Sequence, residues 1–148
     1  MHPIAKPALG VFCLLSLGCA AASQSPAPAV NQSAKPTLAQ VYFWRARPGM
    51  SDAYDRYIRE VGEPIDREAQ RAGAFMDVTT YTTSDSTIPW THMRVFLLRD
   101  SSQLRGLSAA LGAAGVRLEP DSIRRQRKGE YASTLRDRYG AAVTRIVQ

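Results

Sequence analysis

Twice between residues 38 and 99 the apolar residues change period, from strand alternation to a helical repeat and back. Few folds satisfy that order in so short a space. Residues 38–47 (LAQVYFWRAR) favour a strand, because Val41, Tyr42, Phe43 and Trp44 are β-branched or aromatic. Val41 and Phe43 occupy one face, Tyr42 and Trp44 the other, which suits an interior strand covered on both sides. Pro48-Gly49 ends it. Ser51 can cap the helix that follows, with Asp52 and Asp55 in the first turns, where the helix dipole favours acids. Tyr54, Tyr57, Ile58, Val61, Ile65, Ala69 and Ala72 recur at helical spacing. Pro64 interrupts them, so a kink or two segments meeting near Gly62 is expected, with Gly73 as the C-terminal stop.

Residues 75–83 and 90–99 are two further strands joined by the polar loop Ser84-Asp85-Ser86-Thr87-Ile88-Pro89. Alternation divides the last strand into two faces. Met93, Val95 and Leu97 form the uncharged one, which is expected to meet the helices. Trp90, His92, Arg94, Phe96 and Leu98 form the other. If the hairpin closes symmetrically about its loop, Tyr81 lies opposite His92, Thr79 opposite Arg94 and Thr83 opposite Trp90. Asp100-Ser101-Ser102 then caps a helix carrying Leu104, Leu107 and Leu111, which Gly112 and Gly115 are expected to end. A weakly patterned helix over 123–134 contains the basic run Arg124-Arg125-Gln126-Arg127-Lys128. After Gly140, residues 141–147 read as a last strand.

This order resembles the ferredoxin-like βαββαβ arrangement, and its details resemble the dimeric α+β barrel superfamily. The resemblance rests on a strand ending in a Pro-Gly turn (Arg47-Pro48-Gly49-Met50), a helix with spaced tyrosines (Tyr54, Tyr57), and a strand running through Phe96-Leu97-Leu98-Arg99 into the helix-opening acid Asp100. It covers roughly residues 38–111 and is architectural, with no catalytic motif. It implies an α+β fold with helices on one sheet face and a homodimer in which the other sheet face lines a cavity or the subunit contact.

The amino-terminal residues match a targeting signal. Lys6 precedes the apolar run LGVFCLLSL, which is far shorter than the roughly 20 residues of a membrane span. Ala20-Ala21-Ala22 offers a cleavage site, giving a signal over 1–22, a Ser/Ala/Pro linker over 23–37 and one domain over 38–148. A second reading stays open. Leu15-Ser16-Leu17-Gly18-Cys19 resembles a bacterial lipoprotein box, in which Cys19 is lipidated and tethers the protein to a membrane. Either way the protein is expected to be exported, to the periplasm or beyond. Both cysteines, Cys13 and Cys19, lie in this region, so the domain body has no disulfide and no thiol nucleophile.

After the signal His92 is the sole histidine, which excludes a two-histidine metal site. No P-loop or Gly-rich dinucleotide turn is present, so no cofactor is expected. The net charge of +6 and the basic run at 124–128 allow contact with a polyanion or a membrane surface. Export and the absence of an RNP1 pattern argue against nucleic acid. His92 and Arg94 emerge on one strand face roughly 6–7 Å apart. With Tyr81 and Trp90 they form the expected ligand-binding group, and His92 is the candidate acid or base. Three functions are compatible with these residues. One is a homodimeric exported domain that binds a small ligand or serves in the envelope. Another is a cofactor-independent mono-oxygenase or isomerase-like enzyme acting through His92. The third is a polyanion or membrane-surface binder.

Overall fold

The computed structural model describes residues 35–147; the signal residues, the cleavage site and Cys19 lie outside the described residues. The chain runs β1 (Leu38–Ala46), α1 (Ser51–Tyr57), a π-helical turn (Ile58–Gly62), α2 (Glu63–Arg71), β2 (Asp77–Thr82), β3 (His92–Leu98), α3 (Ser101–Leu118), α4 (Ser122–Leu135) and β4 (Arg136–Arg145). The four strands form one antiparallel sheet in the order β2-β3-β1-β4. The expected break at Gly62 is the π turn, which places Pro64 in the first turn of α2.

Three local expectations are corrected. Helix α1 begins at Ser51 itself, and no side chain caps it. Asp100 does cap α3, accepting from the backbone N–H of Ser102 and Gln103. Gly112 and Gly115 do not end α3, which continues to Leu118. A glycine costs a helix interior only about 1 kcal/mol, and the burial of Ala114 between them holds the turn. The last strand opens at Arg136, before Gly140. Its register against β1 shifts between Phe43 and Trp44, where Tyr139 is an extra residue.

The largest correction concerns the faces of β3. His92, Arg94, Phe96 and Leu98 are buried toward the helices, while Met93, Val95 and Leu97 lie half-buried on the opposite, helix-free face. Phe96 and Leu98 join Ala69, Phe75, Leu107 and Ala114 in the main core. Charge did not bar this face from the interior, because each charged residue meets a carboxylate from the helical layer: His92 meets Asp55 of α1, and Arg94 meets Asp66 of α2. A second, smaller core of Ala46, Tyr54, Ile58 and Leu135 lies at the other end of α1. Strand β1 is interior, as its large side chains imply, but Val41 and Phe43 face the helix-free side.

Candidate functional site

The hairpin register decides which of the expected site residues meet. Thr82 pairs with His92, Thr80 with Arg94 and Tyr81 with Met93. This differs by one residue from the symmetric closure, and one residue of slip exchanges the faces of the whole strand. Tyr81 therefore stands on the helix-free face, 49% exposed. Trp90 packs its ring against Phe43 (centroids 5.9 Å apart), also on that face. The four expected residues thus divide between the faces, with His92 and Arg94 on the helical side and Tyr81 and Trp90 on the other. Arg94 pairs with Asp66, while Asp77 lies opposite Leu97.

His92 sits at the floor of a polar cleft of about 780 Å³. One wall is the Arg47–Met50 turn, closed by the Met50 N–H donating to the Arg47 carbonyl at 2.9 Å, with Gly49 at φ 75°. Only glycine adopts that conformation without strain. The other wall is the loop after β2, where Asp85 accepts from the Thr87 backbone N–H (2.9 Å) and hydroxyl (2.7 Å), which hold its carboxyl below the usual range. Arg45, Ser51, Asp55 and Thr83 also line the cleft.

The imidazole itself is only 2% exposed, whereas the Asp55 side chain is 35% exposed. From the cleft, Asp55 is therefore the accessible member of the pair, and His92 lies behind it. His92 Nε2 lies 2.9 Å from Asp55 Oδ1, and Nδ1 lies 2.8 Å from the Thr91 hydroxyl. The Ala46 N–H donates to that same hydroxyl oxygen at 2.7 Å. This chain of contacts satisfies either protonation state. With neutral imidazole, the hydroxyl donates to Nδ1 and Nε2–H donates to Asp55. With imidazolium, Nδ1–H donates to the hydroxyl oxygen, which keeps acceptor capacity. The edge of Tyr54 packs on the imidazole, ring centroids 4.5 Å apart. Burial pushes the Tyr54 phenol up to about 12, against the opposing pull of the Arg136 and Arg94 guanidiniums. Arg136 in turn lies over the rings of Trp44 (4.7 Å) and Tyr54 (5.2 Å).

Arg94 belongs to a different cleft, of about 380 Å³, between α2 and the edge strand β2. Its Nη2 donates to Asp66 Oδ2 and its Nε to the Thr80 hydroxyl at 3.2 Å. Desolvation raises the Asp66 carboxyl, and Arg94 opposes the rise. Sequence reasoning missed Asp55 and Asp66 as partners of these two residues. Asp55 was legible only as an acid suited to the first turns of a helix, and Asp66 gave no signal beyond its helical position. Among the described residues no group of three or more His, Cys, Asp or Glu side chains could hold a metal ion.

No family model matches the sequence, and neither does any curated protein. Solved structures do resemble the fold. HapK from Hahella chejuensis superimposes with a TM-score of 0.52 at 10% identity, over 74% of this chain and 92% of its own. An ethyl tert-butyl ether D (EthD) family protein from Bacillus halodurans does so with a TM-score of 0.51 at 12% identity, over 74% and 99%. Both neighbours are of the dimeric α+β barrel, ferredoxin-like type. The fold is ferredoxin-like. The sheet order and the helices confined to one face agree with it; α4 is an added helix in the second crossover. At these identities the likeness concerns architecture alone.

Proposed function

We propose that this protein is an exported, homodimeric domain that binds a small polar ligand in the His92–Asp55 cleft. The observation that carries this reading is the Ala46–Thr91–His92–Asp55 chain of hydrogen bonds ending in a half-exposed carboxylate on the floor of a polar cleft. Asp55 accepts a hydroxyl or protonated amine, and the exposed Arg45 at the same cleft suits an acidic group. Small hydroxy acids and amino acids carry that pair of groups. Calorimetric titration of a panel of them tests the reading. Binding by the wild type that falls by about tenfold or more in Asp55→Asn and in Arg45→Gln is the expected result. Binding unchanged by Asp55→Asn, or no binding across the panel, overturns it.

The homodimer reading draws on the helix-free face. Val41, Phe43, Met93, Val95 and Leu97 stand side by side there, with Trp90 against Phe43, and among the described residues no helix covers them. A contiguous apolar sheet face is suited to burial against a second copy. Export rests on the sequence of residues 1–22. Amino-terminal sequencing of the mature protein distinguishes Ser23 from a lipidated Cys19.

The same relay favours an acid–base enzyme as the second reading. Asp55 removes a proton from carbon next to a carbonyl and returns it elsewhere, an isomerase-type step needing no cofactor, while His92 fixes the carboxylate. Exchange of that carbon-bound hydrogen into deuterated solvent, lost in His92→Ala while ligand binding persists, distinguishes enzyme from binder.

A further inference from the structure

Outside the His92 cleft, α4 lies lightly on the helical layer. Only Ala132 and Leu135 of its residues are buried. Between it, the π turn, α2 and the carboxyl-terminal half of α3 runs a groove of about 360 Å³, within the range of about 300–1,000 Å³ of small-molecule sites. Its lining is mainly apolar, with Val61, Pro64, Ile65, Leu111 and Leu118. Three glycines hollow it. No atom lies within 4 Å of where a Cβ would sit on Gly112 or Gly129, and a Cβ on Gly115 would stop 3.8 Å from the Ile65 side chain. A second hollow of about 210 Å³ adjoins it, sharing Tyr57, Glu60, Val61 and Lys128 and ending at Tyr131. The two together make an elongated trough.

Cations from α4 stand along its rim. Lys128 reaches the Glu119 carboxylate at 3.2 Å, which leaves two of its three N–H donors. Arg125, which also lines the groove, donates Nη1 to the carbonyls of Glu119 (2.6 Å) and Pro120 (2.7 Å), where the end of α3 needs donors. Glu119 is thus already matched by Lys128, and Glu60 is the other acid at the rim. Arg124 and Arg127 extend the positive charge on the exposed turns of α4, against Glu130 alone within that helix.

From this arrangement we propose that the groove binds the hydrocarbon chain of an anionic amphiphile, with its head group between Arg125 and Lys128. The glycines provide the chain's space, the aliphatic lining its burial, and the two cations the recognition of the head. A free fatty acid and an anionic membrane lipid share this chemistry.

Dodecanoate below its micellar concentration is the probe for the first source. Vesicles of phosphatidylcholine with and without phosphatidylglycerol are the probe for the second. Gly112→Leu fills the groove without demanding a less favourable helix residue, and Lys128→Gln removes one cation. Calorimetric titration is expected to show dodecanoate bound by the wild type and by His92→Ala. Binding should be weaker by about tenfold or more in Gly112→Leu and by a few-fold in Lys128→Gln. Dodecyltrimethylammonium, with the same chain and the opposite charge, should bind far more weakly. If phosphatidylglycerol vesicles also bind and Gly112→Leu abolishes this, membrane lipid is the source; if vesicles do not bind while dodecanoate does, it is a soluble amphiphile. No dodecanoate binding, binding unaffected by Gly112→Leu, or equal affinity for the ammonium compound overturns the proposal.

Discussion

His92 and Arg94 stand two residues apart on one strand, face the same helical layer, and each meets an aspartate from the same broken helix. Yet the two pairs are differently placed. Asp55 is held by His92 at the floor of an open cleft and keeps a third of its surface in solvent. Asp66 is buried against Arg94, and the guanidinium has a further acceptor in Thr80. The first pair leaves its carboxylate open to the cleft. The second fixes α2 onto the sheet, and removing either member leaves a charge in the interior with no counterpart. Proximity in sequence and identical facing therefore do not give the two pairs a common role; the depth of the carboxylate does.

The difference is broken most severely at the buried pair. Arg94→Met or Asp66→Asn alone is expected to lower unfolding stability by about 3–5 kcal/mol, and the double variant Arg94→Met/Asp66→Leu to recover much of it, as read by urea denaturation. If the double variant is no better than the singles, the pair contributes geometry beyond its charge balance. Asp55→Asn keeps the shape of its contact and should cost about 1 kcal/mol by the same measurement, while abolishing ligand binding in the cleft. A loss as large as that for Asp66→Asn would make the two pairs equivalent and sink the distinction.

Alkaline titration sharpens the open pair's surroundings. Tyr54, packed on His92, ionises near 12 when folded and near 10 when unfolded. The unfolded chain therefore releases this proton first. The stability held by the buried phenol is fully present below pH 10 and is lost as pH rises toward 12. Absorbance titration should show Tyr54 ionising above the ordinary range of a tyrosine phenol. Val95→Asp, on the helix-free face, is expected to convert dimer to monomer in light scattering and leave the cleft's binding intact if the ligand touches one subunit only. Smallest of all, Tyr81→Phe should shift stability by no more than about 0.5 kcal/mol and leave binding unchanged.

The sequence carried the order of elements well, because strand and helix periods are local properties of residues 38–111. It carried the pairing of charges poorly. His92 and Arg94 stand out as unusual strand residues, but their charge points to the face away from the helices, at a cavity or subunit contact. The aspartates that neutralise it lie 37 and 28 residues away, so nothing in local pattern announces them. The hairpin register was beyond reach for a related reason: the loop does not close symmetrically, and a single residue decides whether Tyr81 joins His92 or Met93. In the second crossover glycine reads as a stop, yet α3 runs through Gly112 and Gly115. Packing of Ala114 against the core overrode that local preference.

The π-helical turn gives the helical layer a length tolerance confined to one place. Its i→i+5 bonding accommodates one residue more than an α-turn, so the segments on either side keep the relative phase of a shorter, unbroken helix. Deleting the exposed Glu60 would let the turn close to α geometry, with Asp55 still on His92 and Asp66 still on Arg94. The same deletion after Asp66 would swing the fully buried Ala69 by about 100° out of the core. Comparing the two deletions in thermal unfolding reads this directly: the chain has one residue of slack between its two aspartates and none beyond the second.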